Sequence, residues 1–119
     1  MQTALIIAVF CVICPLQTVF GAETSVDIDR LADAIYRAEG GAKTRHPYGI
    51  LAKYKTTTPR QACINTIKSG IKRYKTYNGK DDFIVFLSKT YCPIGAKNDP
   101  TGLNVNWVKN VKFYYNRIK

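Results

Sequence analysis

Apolar side chains recur at helical spacing where charged residues first appear in the chain. Those that share one helical face are Ile28, Leu31, Ile35 and Ala38. Thr24 or Ser25 can cap such a helix at its N-terminus, and the pair Gly40-Gly41 stops it. The pattern therefore predicts a first helix over residues 26–38.

Three later segments repeat this kind of pattern. A second helix is predicted from Thr58-Pro59, where Thr58 can cap and proline suits the first turn. A third is predicted over residues 81–90 with Asp81 as its cap, and a fourth from Asn104 or Asn106. The fourth has a long apolar stripe, formed by Trp107, Val108, Val111, Tyr114, Tyr115 and Ile118.

A polar, aromatic stretch over residues 42–57 separates the first two predicted helices. Pro47 and Gly49 disfavour a helix there, so a short hairpin or an irregular loop is expected. The complete pattern predicts a single, mostly α domain with one loop or hairpin insert after the first helix.

The N-terminal segment differs in composition from the rest. Residues 3–20 carry no charged side chain, and a continuous apolar run over residues 4–14 is followed by Val19-Phe20-Gly21. This pattern predicts a signal peptide over residues 1–21, a mature domain over 22–119, and export to the periplasm or the extracellular space. The alternative is an uncleaved membrane anchor, although the run is shorter than the about 20 apolar residues of a spanning helix.

The charge of the chain indicates acidic partners. The formal net charge is +10, and residues 1–21 contribute nothing to it. Such a surface attracts nucleic acid, anionic lipid and bacterial cell wall. Export disfavours nucleic acid, so we expect a monomer that binds cell-wall glycan and touches a membrane only through an uncleaved N-terminus. The lysine-rich stretches 53–55 and 68–80 are either solvated faces or part of a binding surface.

Two cysteines, Cys63 and Cys92, remain in the predicted mature domain. In an exported protein such a pair usually forms a disulfide, which would contribute about 3 kcal/mol to stability. Two buried free thiols are the alternative. The mature domain has one histidine and no CxxC motif. We therefore expect no metal site and no cofactor.

Glu39 is the acidic residue that the helix pattern does not explain. It follows Ile35 by four positions and so lies beside the apolar stripe, at a helix C-terminus where the dipole disfavours negative charge. Partial burial would raise its pKa further, and a carboxyl group that keeps its proton can act as an acid on a glycosidic bond. The alternative is a solvated glutamate at a frayed helix end.

The segment from Leu31 to Gly41, which ends in Ala38-Glu39-Gly40-Gly41, resembles the catalytic helix of lysozyme-like lytic transglycosylases. The resemblance implies a lysozyme-like helical domain over residues 22–119 and a catalytic acid/base role for Glu39. It also implies substrate binding by the segment Tyr48-Gly49-Ile50 and by Tyr91 at the end of a later helix.

The roles of the histidine and of several aromatic side chains have two interpretations. His46, the single histidine, is either solvated or a further substrate contact beside Tyr48. Aromatic residues on helical stripes are expected in the core, and Trp107 is among them. Those expected to be freer to line a cleft are Tyr36, Tyr48, Tyr54 and Tyr91.

The predicted function is cleavage of the β-1,4 glycosidic bond of peptidoglycan with Glu39 as general acid and base. A lytic transglycosylase needs one carboxylate, whereas a hydrolase of the muramidase type needs a second group. Asp81, Asp82 and Asp99 are candidates for that second group. The alternative function is that of a basic exported protein that binds cell-wall polymer or another polyanion without cleaving it.

Overall fold

The computed structural model describes residues 25–119. The predicted signal peptide, its cleavage site and the proposed cap Thr24 lie outside the described residues. Within them, no helix has the length and apolar content needed to cross a bilayer.

Four α-helices form the domain: α1 Ile28–Ala38, α2 Pro59–Tyr74, α3 Phe83–Tyr91 and α4 Trp107–Tyr115. Three short 3-10 turns join them, at Gly41–Lys43, Pro47–Gly49 and Leu103–Asn106. The prediction of a mostly α domain is confirmed. Over residues 25–119 no strand occurs, so the insert after α1 is an irregular loop with two 3-10 turns and not a hairpin.

Side-chain caps set where the helices begin. Thr58 caps α2 as predicted, because its hydroxyl accepts a hydrogen bond from the Gln61 amide at 3.2 Å. Two other predicted caps are wrong. Asp27 caps α1, and Asp82 caps α3 in place of Asp81, since each carboxylate accepts a bond from the amide three residues ahead at 3.0 Å.

The core lies where α1 packs against α4 and α2. Its largest fully buried side chains are Leu31, Ile35, Cys63, Ile67, Leu87 and Val111. Gly70 lets α2 and α3 approach closely, because a Cβ atom there would lie 3.0 Å from the Leu87 side chain. This glycine, a weak helix former in the middle of α2, is therefore a packing requirement.

Polar contacts fix the position of α1 against its neighbours. The Arg30 side chain donates to the Tyr115 carbonyl at 2.7 Å, which joins the start of α1 to the end of α4. On α2, Arg60 pairs with Asp29 and Asp33. These contacts hold the N-terminal part of α1 in place, while its C-terminal end carries Glu39.

Candidate functional site: a sheltered carboxyl group at the end of α1

Glu39 terminates α1, and its backbone amide bonds the Ile35 carbonyl at 2.9 Å. Gly40 follows with φ of 102°, a left-handed conformation that ends the helix. The predicted stop at Gly40-Gly41 is thus confirmed. The abrupt turn leaves the Glu39 side chain beside the loop that follows, where it is half-buried.

Trp107 holds the carboxyl group from the other side. Its indole Nε1 donates a hydrogen bond to Oε1 of Glu39 at 2.8 Å, across 68 positions of sequence. Trp107 is the first residue of α4 and is only 5% exposed. An indole N–H can only donate, so Oε1 is engaged as an acceptor and the acid proton of Glu39 belongs on Oε2.

Burial raises the pKa of Glu39 above its usual value of 4.5, and the hydrogen bond from Trp107 lowers it in part. Burial is the larger of the two effects because it removes water from the charged form, whereas the indole supplies one donor. The expected sheltering of this carboxyl group is therefore present.

Gly49 lies directly against the carboxyl group. A Cβ atom at this position would lie 2.9 Å from Cδ of Glu39, closer than side chains tolerate. Its φ of +67° also favours glycine. The structure thus brings together two predicted site residues, Glu39 and Gly49, and gives a steric reason for the glycine.

Tyr48 also has a left-handed backbone, with φ of 61°, which is unusual for a bulky residue. Its ring packs against Tyr36 with 5.1 Å between centroids, and its hydroxyl accepts a hydrogen bond from Arg60 at 3.3 Å. The side chain is 9% exposed. Tyr48 therefore offers a substrate little surface and instead fixes the loop that carries Gly49.

Tyr91 connects this loop to Trp107. Its hydroxyl donates to the Tyr48 carbonyl at 2.6 Å, and its ring stacks on the Trp107 indole with 5.3 Å between centroids. Burial raises the pKa of Tyr91, and the neighbouring Cys63 thiol adds to the shift, so the hydroxyl keeps its proton as a donor. Tyr91 braces both groups that touch Glu39.

The remaining predicted contacts lie on the same loop. Ile50 is half-buried and packs against the core, and its amide bonds the Pro47 carbonyl at 3.2 Å. His46 is exposed, with its backbone amide bonded to the Thr44 hydroxyl at 3.1 Å. Substrate contacts by Tyr48, Ile50, Tyr91 and His46 remain predictions.

The predicted disulfide is wrong, since Cys63 and Cys92 are both free thiols in the structure. The Tyr91 hydroxyl lies beside the buried Cys63 thiol. Cys92, the next residue, lines a hollow together with Pro93. Burial is the main cause that raises the pKa of each thiol to about 11, so neither is a reactive thiolate.

The three acids considered as a second catalytic group all have structural partners. Asp81 pairs with Lys89 and with the Tyr77 hydroxyl. Asp82 caps α3 and pairs with Lys112. Asp99 binds backbone amides of its own loop, at Gly95 and Asn104.

Residues 25–119 contain no cluster of three or more histidine, cysteine or acidic side chains able to hold a metal ion. Comparisons with known protein families, with curated proteins and with solved structures found no match.

Trp107 is the site residue that the sequence pattern missed. Its place in the apolar stripe of α4 predicts only a core position. A buried indole N–H needs a hydrogen-bond acceptor, however, and this requirement could have pointed to a polar partner.

Proposed function

We propose that this protein cleaves peptidoglycan at its β-1,4 glycosidic bonds, with Glu39 as the acid and then the base. One observation carries the proposal: a half-buried carboxyl group has one oxygen bonded to Trp107 and the other left to hold a proton. Its raised pKa favours the protonated form that glycosidic cleavage requires.

The order of proton transfers follows from this arrangement. Oε2 of Glu39 gives its proton to the glycosidic oxygen, and the bond from that oxygen to C1 of the sugar breaks. The carboxylate then takes the proton of the same sugar's 6-hydroxyl, whose oxygen bonds to C1. The products are a 1,6-anhydro sugar and a free 4-hydroxyl, and Glu39 is protonated again.

We favour this transglycosylase route over hydrolysis because the described acids offer no free second carboxylate. Each of Asp81, Asp82 and Asp99 already holds a lysine or backbone amides. The positive charge of +10 supports an acidic polymer as substrate, since the peptides and teichoic polymers of bacterial cell walls are anionic.

The test is release of fragments from purified peptidoglycan, analysed by mass spectrometry. Glu39→Gln keeps the size of the side chain and an acceptor for Trp107 but removes the acid. We expect it to lose at least about 100-fold in rate, as is typical when a general acid is removed. Asp29→Asn is the matched control, because it removes one carboxylate at the exposed start of α1.

Three outcomes are distinct. Anhydro ends support a transglycosylase, and reducing ends with the same dependence on Glu39 assign a hydrolase. No release by the unaltered protein, with binding that Glu39→Gln leaves unchanged, contradicts the proposal and favours a basic polymer-binding protein.

A further inference from the structure

A second feature suited to glycan lies beside α2. It is a hollow of about 340 Å³ between α2, the loop before it and the end of α3. The side chains that matter for recognition are Tyr54, Asn65, Thr66, Ser69, Arg73 and Thr90. These side chains offer hydroxyl, amide and guanidinium groups, with one aromatic ring at the side.

Arg73 supplies a cation that is already held in place. Its Nη2 donates to the Thr90 hydroxyl at 3.3 Å, and its guanidinium lies 5.7 Å from the centre of the Phe86 ring. Among residues 25–119, no carboxylate forms a salt bridge with Arg73. A guanidinium with unused donors fits the two oxygens of a carboxylate or phosphate.

Tyr54 supplies an aromatic surface that the core does not use. Its side chain is 54% exposed at the edge of the hollow, although a tyrosine ring gains from being covered. Asn65, Ser69 and Arg73 follow one another at four-residue spacing along one side of α2 and line the same hollow. A ring to stack on, hydroxyl and amide groups, and a cation together suit a sugar that carries an acidic substituent.

The hollow is connected to the Glu39 site through neighbouring residues. Thr90 precedes Tyr91, which stacks on the Trp107 ring, and Ala62, which also lines the hollow, precedes Cys63. Tyr91 and Cys63 lie beside each other, so the hollow borders the packed residues that support Glu39.

We propose that this hollow binds a sugar unit bearing an anionic group, in the polymer that Glu39 cleaves. The inference rests on the proposed function for the identity of that polymer. Arg73 binds the anionic group, and Tyr54 stacks on the sugar ring. The anionic group has two sources in a cell wall, a peptide-stem carboxylate or a teichoic phosphate.

Equilibrium binding tests the proposal, measured with the full chain carrying Glu39→Gln so that no probe is consumed. The probes are soluble glycan strands with peptide stems, the same strands with the stems removed, and a glycerol phosphate polymer. We expect Arg73→Gln to weaken binding of one anionic probe about tenfold. Lys72→Gln is the control, since it removes an equally exposed charge on α2 outside the hollow.

The aromatic half of the site has its own matched pair. Tyr54→Ala is expected to weaken binding of the stem-bearing strands several-fold. Leu51→Ala removes an apolar side chain that is 58% exposed on the same loop but outside the hollow, and should have no such effect.

The outcomes separate as follows. A loss confined to stem-bearing strands assigns a carboxylate, and a loss confined to the phosphate polymer assigns a phosphate. If Arg73→Gln and Lys72→Gln weaken every probe equally, binding is general charge attraction and the inference is overturned. Binding is measured without turnover, so the two proposals can fail separately. If binding depends on Arg73 but the unaltered protein does not cleave peptidoglycan, only the enzymatic proposal is contradicted.

Discussion

Glu39 and Asp99 both have carboxyl groups shielded from water, Glu39 in part and Asp99 almost completely, and the groups around them differ. Asp99 is 5% exposed, and both of its oxygens accept bonds from backbone amides, at Gly95 and Asn104, between 3.1 and 3.3 Å. Glu39 accepts one bond, from the Trp107 indole. Backbone amides therefore bind both oxygens of Asp99, whereas among the described residues only Oε1 of Glu39 accepts a hydrogen bond.

The comparison teaches that two shielded carboxyl groups can serve different purposes, because their hydrogen-bond donors differ. The amides of Gly95 and Asn104 both bind Asp99, so this side chain ties together the loop between α3 and α4. A single donor at one edge orients Glu39 and leaves burial as the dominant effect on its pKa.

The largest effect is expected from Gly49→Ala. The added methyl group would meet the Glu39 carboxyl group at 2.9 Å and must displace it, so we expect activity to fall about 100-fold. Gly102→Ala is a close control, because Gly102 has a similar φ of +70° and nothing within 4 Å of the new atom. Equal loss in both variants would show that backbone strain, and not displacement of Glu39, is responsible.

Asp99→Ala should separate stability from catalysis. Removal of the acceptor leaves the amides of Gly95 and Asn104 without their partner, so we expect a loss of about 1–3 kcal/mol in the free energy of unfolding. Urea unfolding measures it. Activity below the new melting temperature should change little. A fall in activity as large as that of Glu39→Gln, with the fold intact, would make Asp99 a catalytic partner.

Trp107→Phe is expected to move the pH profile. It removes the donor that lowers the pKa of Glu39 and keeps a ring for Tyr91 to stack on. In the proposed mechanism the protonated acid is the active form, so activity is lost as pH rises through this pKa, and the variant should keep activity to higher pH. The rate as a function of pH tests this, and a shift to lower pH would contradict it.

The raised pKa of Glu39 should also make the free energy of unfolding depend on pH. Because the folded-state pKa of Glu39 is raised, its contribution is fully present below the unfolded value. That contribution falls as pH rises from about the usual 4.5 through the raised pKa and is constant above it. The difference in unfolding free energy between the unaltered protein and Glu39→Gln measures it, and a rise over this range would contradict the account.

The smallest effect is expected from reducing agent. Since Cys63 and Cys92 are free thiols, a thiol reductant should leave the melting temperature unchanged. Denatured, unreduced protein should react with a thiol reagent at both positions. A fall of several degrees on reduction would indicate that a disulfide forms after all.

Local signals were sufficient for most of the fold. Thr58 and Pro59 mark the start of α2, and Gly40 marks the end of α1, because caps and left-handed turns depend on neighbouring residues. The position of Glu39 beside an apolar stripe was enough to predict that it is sheltered. The sequence pattern could not distinguish Asp82 from Asp81 as the cap of α3, because the two aspartates are adjacent.

Contacts between distant segments were not predictable in this way. The bond from Trp107 to Glu39 spans 68 positions, and helical periodicity placed Trp107 in the core without showing where its N–H points. The disulfide was predicted from composition, whereas in the structure Tyr91 lies beside Cys63 and both cysteines are free. Packing between helices decides both, and a pattern along one chain does not contain it.

The most direct measurement of the central claim is the titration of the Glu39 carboxyl carbon by carbon-13 NMR in the intact protein. The account predicts a midpoint above the usual 4.5, and a still higher one in Trp107→Phe. A midpoint at or below the usual value would mean that Glu39 is an ordinary solvated carboxylate, and the acid role assigned to it would be wrong.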